Sequence, residues 1–345
     1  VLEDLWDALQ PQIEQRIALS ERYGIDLRSK SDAQLAETLV KALCEDAIGQ
    51  KIYKQDVNYN LTFKYEQPAY VAYQIPQLQH ALSLVRNSTF RLAASGTVEM
   101  PPQLDSLTIP IGQSVYRLGI GGLHSSESVA VHHSDEANVL KDNDVAAYYP
   151  SLILNSGKYP KSLGHTFIPV FQGIVDRRIA GKRESQRLAK LNLKDTPEYI
   201  KATVDNEGGK IQINGSFGKT GSPYSILFAP EMLIQTTITG QLSLLMLIEW
   251  HEAYGIPVVS ANTDGIVIKC PRDKVSLSEA LISEWQTRTG LEMETVEYKS
   301  IYSRDVNNYF AVKSDGSVKR KGEYSTAGLV EKKNPDVEIC SDAVA

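Results

Sequence analysis

Asp144-Val145-Ala146-Ala147-Tyr148-Tyr149-Pro150-Ser151 is the stretch on which the fold turns. It is answered about 120 residues later by Ser260-Ala261-Asn262-Thr263-Asp264-Gly265-Ile266-Val267-Ile268. β-prone residues lead into each acid. The run Val139 to Ala147 reads as the second strand of a hairpin, with Val129 and Val131 on the first and Ser134-Asp135-Glu136 at the turn. Val258-Val259 and Ile266-Val267-Ile268 flank Asn262-Thr263-Asp264-Gly265, a second hairpin. Either acid alone is an ordinary turn residue. Two carboxylates at strand ends that meet in space suit a pair of divalent ions acting on a triphosphate.

Between the two acids the pattern changes to helix. Phe171 to Leu193 reads as one long helix, broken at Lys194-Asp195-Thr196. Thr196 followed by Pro197 starts a second, so the two form an antiparallel pair. From Asp176 to Lys194 there are seven basic residues against two acidic ones. Such a run is usually a solvated face. Its spacing (Arg178, Lys182, then Arg183, Arg187, Lys190, Lys194) also suits a phosphate-binding stripe. Lys210 on the partner helix, with Asn214 one turn on, can join Arg178 and Lys182 around one polyphosphate. Gly208-Gly209 predicts a weakened, kinked helix just before Lys210.

Outside this block the pattern is plainer. Leu5, Leu9, Ile13 and Ile17 mark a first helix, and Ser31 caps a second through Leu35, Leu39, Val40 and Leu43. Residues 51–126 are mixed, with a loop at Pro101-Pro102 and a tight turn from Gly119 to Gly122. Ala229 to Tyr254 is a long helix, and its apolar part from Leu242 to Trp250 reads as buried. Ser276 with Glu279 predicts a capping box for a helix to Thr289. Strands follow at Glu292–Tyr298 and Tyr309–Lys313, turning through Asp315-Gly316.

A net charge of −6 argues against a general nucleic-acid binder, but the basic helix is a local exception. No apolar run reaches the ~18–20 residues of a membrane span, so no membrane partner is expected. Cys44, Cys270 and Cys340 form neither a disulfide set nor a ligand spacing, which predicts a reducing, cytoplasmic setting. His132-His133 beside Asp135 lacks a third metal ligand. The start at Val1, without a Met or signal segment, reads as a piece of a longer protein.

The three motifs, in this order, resemble those of family B DNA polymerases, in particular the bacteriophage members. Asp144 to Ser151 is similar to motif A, D-x-x-S-L-Y-P-S, with Ala147 and Tyr148 for Ser and Leu. Lys210 to Gly218 is similar to motif B, K-x-x-x-N-S-x-Y-G, with Gly215 and Phe217 substituted. Asn262-Thr263-Asp264-Gly265 resembles motif C, D-T-D-S. The resemblance runs from about Tyr116 to Tyr324.

It implies an α+β fold: a palm of antiparallel sheet with helices behind it, an inserted helical-hairpin fingers domain, and a mainly helical N-terminal region. The implied boundaries are 1–126 for a region linking a missing upstream exonuclease to the palm, 127–166 and 236–345 for the palm, and 167–235 for the fingers. Asp144, Asp264 and the Val145 carbonyl would hold two Mg²⁺, with Mn²⁺ as a substitute. Arg178, Lys182 and Lys210 would hold the triphosphate, Asn214 would line the base-pair pocket, and Tyr149 would exclude ribonucleotides. Tyr309 aligns with the K-x-Y segment that contacts the primer, its Lys replaced by Asn307. Lys319 and Lys321 are further DNA-backbone candidates; the bland alternative is a charged strand edge. The implied reaction is template-directed DNA synthesis from dNTPs on primer–template DNA, by a monomer served by processivity or replisome proteins. A viral source would put it in the host cytoplasm. Asn262 replaces the first acid of motif C, which keeps open a catalytically silent nucleic-acid-binding module. An RNA-templated or RNA-making enzyme is a third reading, opposed by Tyr149. Residues 325–345 are too few for a complete thumb.

Overall fold

The computed structural model describes residues 2–127 and 129–325. Its helices are α1 (Leu2–Tyr23), α2 (Asp32–Ile48), α3 (Pro76–Asn87), α4 (Pro102–Asp105), α5 (Tyr148–Ser156), α6 (Phe167–Lys190), α7 (Pro197–Lys219), α8 (Pro230–Ala253) and α9 (Val275–Thr289). Its strands are β1 (Thr62–Phe63), β2 (Phe90–Leu92), β3 (Val98–Glu99), β4 (Ile109–Ile111), β5 (Ser114–Arg117), β6 (His124–Ser125) and β7 (Ala130–His133). β8 (Asn138–Val145), β9 (Val258–Asn262), β10 (Gly265–Pro271), β11 (Met293–Asp305), β12 (Asn308–Lys313) and β13 (Val318–Lys321) complete them. The chain divides into two compact units. One takes residues up to Leu61, Arg91–Glu99 and Leu152–Leu233; the other takes Thr62–Phe90, Met100–Ser151 and Ile234 onward. This division differs from the one expected from sequence, because the first two helices join the 152–233 unit. The thumb expectation, like Cys340, falls outside the described residues.

In the first unit, Ser31 caps α2 as expected: its hydroxyl accepts from the Gln34 N–H while the Gln34 side chain accepts from the Ser31 N–H. Thr196 likewise caps α7, with Pro197 in its first turn. Val40, Cys44, Phe167, Phe171, Ile174 and Ile213 are buried together, with the Phe167 and Phe171 rings stacked at 5.0 Å. Leu19, Leu27, Leu35 and Leu39 form a second apolar cluster. Gly208-Gly209 does not break the helix, since α7 runs through it from Pro197 to Lys219. The glycines instead admit close neighbours. A Cβ on Gly208 would strike Leu19, and one on Gly209 would lie 2.7 Å from the Arg178 Cβ. Packing gain offsets the helix cost of roughly 1 kcal/mol per glycine.

The second unit is built on an antiparallel sheet. Among the described strands the order is β13-β12-β11-β8-β10-β9-β6-β5-β4, with β7 also on β11. The expected hairpin of β7 with β8 is corrected here. Both strands pair with β11, β7 against Ser300–Ser303 and β8 against Met293–Tyr298, so they lie end to end along one partner. A thirteen-residue strand offers room for both, and the polar 134–137 segment is an excursion between them. The Val258/Ile266 hairpin does form, with Gly265 opposite Asn262. The Ser276 capping box does not. α9 is entered from a 3-10 turn at Arg272–Lys274 without a side-chain cap, and Glu279 pairs with Lys141 at 2.9 Å instead. By length and composition α8 could cross a membrane, but 89% of its most apolar window is buried inside the protein. It reads as a core helix, fixed by Trp285 donating to the Ser243 carbonyl and Gln241 donating to the carbonyls of Gly119 and Gly121.

Candidate active site

β8 and β10 are neighbours in register, with Asp144 opposite Gly265. The turn after β9 therefore arrives beside the end of β8, and the Val145 N–H donates to the Asp264 carbonyl at 2.7 Å. That one bond ties the two acidic motifs together through the backbone. The turn is tightly held from below as well: the Thr263 N–H donates to the Leu123 carbonyl at 2.7 Å, and a Cβ on Gly122 would collide with Thr263. Thr263 and Ala147 both adopt positive φ, 38° and 49°, a conformation seldom taken by side-chain-bearing residues. Gly265 has no Cβ, and the space one would fill is taken by the Asp144 carboxylate.

Asp144 and Asp264 line one cavity of about 210 Å³, together with Asp142, Asn262, Tyr309, Lys319 and Lys321. Burial raises the Asp144 carboxyl to about 6, helped by the negative charges of Asp142 and Asp264 and opposed by Lys319. Burial also raises Asp264, against the pull of Lys321 and Lys319. The Lys319 ammonium donates to Asp142 at 2.9 Å and to Asp144 at 3.4 Å. Opposing carboxylates hold its pKa well up despite burial. Lys321 lies two residues on, on the same face of β13, its ammonium 6.0 Å from the Tyr309 ring centre. Asn262, at the position of the missing motif C acid, donates weakly to the Val306 carbonyl at 3.4 Å. Tyr149 is half-buried beside Tyr148, with ring centres 6.0 Å apart. Burial and the Asp264 charge push its hydroxyl up to about 12.

Arg178, Lys182, Lys210 and Asn214 all lie on the α6–α7 pair of the other unit. Arg178 packs against Gly209, next to Lys210, and its Nε is buried without a hydrogen-bond partner among the described residues. Lys210 and Asn214 are exposed one turn apart. The rest of the stripe is partly engaged: Arg187 forks onto Glu184 at 2.7 and 2.8 Å, and Arg177 sits over the Tyr23 ring at 6.0 Å. A larger cleft of about 340 Å³ in this unit is lined by residues such as Asn58, Tyr159 and Phe228, and none of the motif residues reaches it.

Among the described residues no three His, Cys, Asp or Glu side chains gather as a metal-holding group. His133 packs edge-on against the Tyr302 ring. Two carboxylates nevertheless fit Mg²⁺, which takes hard oxygen ligands and commonly completes its shell with water and substrate phosphates. The raised Asp144 and Asp264 carboxyls are desolvated acids that a divalent cation would neutralise. Sequence reasoning missed Asp142. Its signal was available, because residues i and i+2 of a strand share a face.

Over 199 residues the chain is 22% identical to "DNA polymerase 2" of Aeropyrum pernix, a match that takes in 51% of this chain and 24% of that protein. Among solved structures it superposes on the family B DNA polymerase from the hyperthermophilic archaeon Pyrobaculum calidifontis with a TM-score of 0.53 at 15% identity. The mixed helix and antiparallel-sheet fold matches part of that family B polymerase structure. That superposition covers 92% of this chain and 36% of the archaeal one, so the α+β expectation extends to both units. The chain thus spans about a quarter of the curated relative and about a third of the solved one. No family model matches it. Both relatives are archaeal, and neither supports the closer resemblance to bacteriophage enzymes.

Proposed function

We propose that the chain is the nucleotidyl-transfer core of a DNA-directed DNA polymerase, joining dNTPs to a primer 3′-hydroxyl under the direction of a template. The observation that carries this reading is the Val145–Asp264 backbone bond, which brings acids 120 positions apart into one cavity. The β-sheet unit is the palm, and the α6–α7 pair belongs to the fingers. Asp144 and Asp264, with the Val145 carbonyl, would hold two Mg²⁺. When bound, such ions lower the pKa of the attacking hydroxyl and stabilise the departing pyrophosphate.

The chain's own groups do the rest. The new bond joins the primer 3′-oxygen to the α-phosphorus, and the bond to pyrophosphate breaks. Arg178, whose buried Nε lacks a partner among the described residues, suits a triphosphate oxygen; Lys182 and Lys210 add charge on the same helix pair. Lys210 or Arg178 can donate a hydrogen bond to the leaving group. The Tyr149 ring would sit against the sugar and reject a 2′-hydroxyl. Tyr309 and Lys321 face the same cavity and would meet the primer end, and Asn214 the nascent pair. With little covalent chemistry for the protein, positioning and charge carry most of the rate.

The test is primer extension with Mg²⁺ or Mn²⁺: Asp264→Ala retaining full extension sinks the assignment. A catalytically silent nucleic-acid-binding module is the second reading, favoured by Asn262 and by a lysine already resting on Asp144. Calorimetry with a dNTP and Mg²⁺ separates the two, since the silent module gives no metal-dependent heat.

A further inference from the structure

The strand face that carries Asp144 also carries a more deeply buried acid two residues earlier. The Asp142 side chain is 6% exposed, against 48% for Asp144. Asp142 Oδ2 accepts a hydrogen bond from the Tyr298 hydroxyl, itself buried. The same oxygen accepts from Lys319 Nζ at 2.9 Å, and that ammonium reaches on to Asp144 Oδ2 at 3.4 Å. One cation therefore bridges a pinned carboxylate and a freer one. The shorter bond goes to the pinned side.

This asymmetry has a chemical consequence, and it rests on the metal-binding role proposed for Asp144. A divalent ion and an ammonium cannot share one carboxylate oxygen without strong repulsion. Lysine is a point charge on a flexible four-carbon stem, so a small rotation moves its head group. Asp142 gives it somewhere to go. We propose that Lys319 is a built-in placeholder cation: it neutralises Asp144 while no divalent ion is bound, and retreats onto Asp142 when one arrives. Lys319 and Asp142 are then positioning residues for metal loading. They set how tightly the site takes its ion without ligating it.

An ordinary structural ion pair makes no such demand, and direct metal titration tells the two apart. Mn²⁺ is titrated into the full chain without nucleotide, free ion being read by electron paramagnetic resonance. The proteins are the wild type, Lys319→Met, Asp142→Asn and the double variant, with Asp264→Ala marking which binding belongs to the site. Lys319→Met should bind about tenfold more tightly, the scale of removing a unit positive charge roughly 5 Å from a divalent ion in water. Asp142→Asn should bind more weakly, because the ammonium then has only Asp144. In the Lys319→Met background that Asp142→Asn loss should largely vanish, as expected if Asp142 acts through the lysine. Should Lys319→Met fail to fold, Lys319→Gln keeps a polar head group on the carboxylates and should show the same gain. Unchanged or weaker binding by the folded Lys319 variant overturns the proposal. So does an Asp142→Asn loss of equal size in both backgrounds. If neither wild type nor Lys319 variant binds Mn²⁺ in an Asp264-dependent way, the two-ion reading of the site falls too.

Discussion

Along α6 the cations stand exposed or half-buried, and Arg187 pairs with Glu184 one turn away at the surface. Around β8 the charged head groups are shared: Lys319 serves two acids, and Asp142 serves both a lysine and a tyrosine. The first arrangement leaves charge available to an incoming anion at little folding cost, because solvent screens it. The second stores charge in a desolvated cluster, where removing one member exposes the others. A helix surface can thus change its charges freely, whereas the sheet site cannot.

Four substitutions sharpen that contrast. The largest effect belongs to the sheet. Asp144→Asn should cut primer extension at least about a thousand-fold, since the positioned charge that stabilises the transition state is lost. A loss under tenfold would break the comparison.

Next comes pH. His251 is fully buried, Nδ1 donating to the Leu247 carbonyl and Nε2 accepting from Ser278, and burial lowers its pKa to about 4. Above pH ~6.5 the ring is neutral folded or unfolded and costs nothing. Below it the unfolded chain takes up a proton that the folded chain refuses, so stability falls between about 6.5 and 4 and levels off beneath. The loss totals roughly 3 kcal/mol. Asp144, raised to about 6, acts in the opposite sense: the folded form holds its proton more tightly, so acid favours folding there. Comparing wild type with His251→Gln isolates the histidine. Urea unfolding from pH 7 to 4 should show a shallower acid loss in the variant, and hydrogen exchange should place the difference in the sheet unit.

Third is packing between the helices. Gly209→Val puts in a branched side chain whose Cβ would lie 2.7 Å from the Arg178 Cβ, and should destabilise by roughly 2–3 kcal/mol in urea unfolding. A neutral result would mean that the α6–α7 contact is loose. The smallest effect is Glu184→Ala, which should leave the unfolding midpoint within error, because its pairing with Arg187 lies at the surface.

Local chemistry was read well from the chain. Ser31 and Thr196 cap helices because a side-chain oxygen satisfies an N–H one turn away, and Asn262–Gly265 turns because those residues tolerate tight geometry. Errors arose where the decisive neighbour was distant. Gly208-Gly209 looks like a weakness until Leu19 and Arg178 are seen against it. β7 and β8 look like a hairpin until β11 proves long enough to pair with both. Ser276 looks like a cap until Glu279 is found bonded to Lys141, 138 positions away.

The site divides in the same manner. Asp144 and Asp264 were legible because each sits at the end of a β-prone run, and a strand's alternation and a turn's composition are written in consecutive residues. Asp142 could have been read from the same alternation, two residues before Asp144 on one strand face; the bridging role of Lys319 could not. A charged side chain's partner depends on which strands become neighbours, and sheet order is set by long-range burial that no short window contains. The chain by itself therefore determined which acids stand at strand ends; the fold decided which cation stands between them.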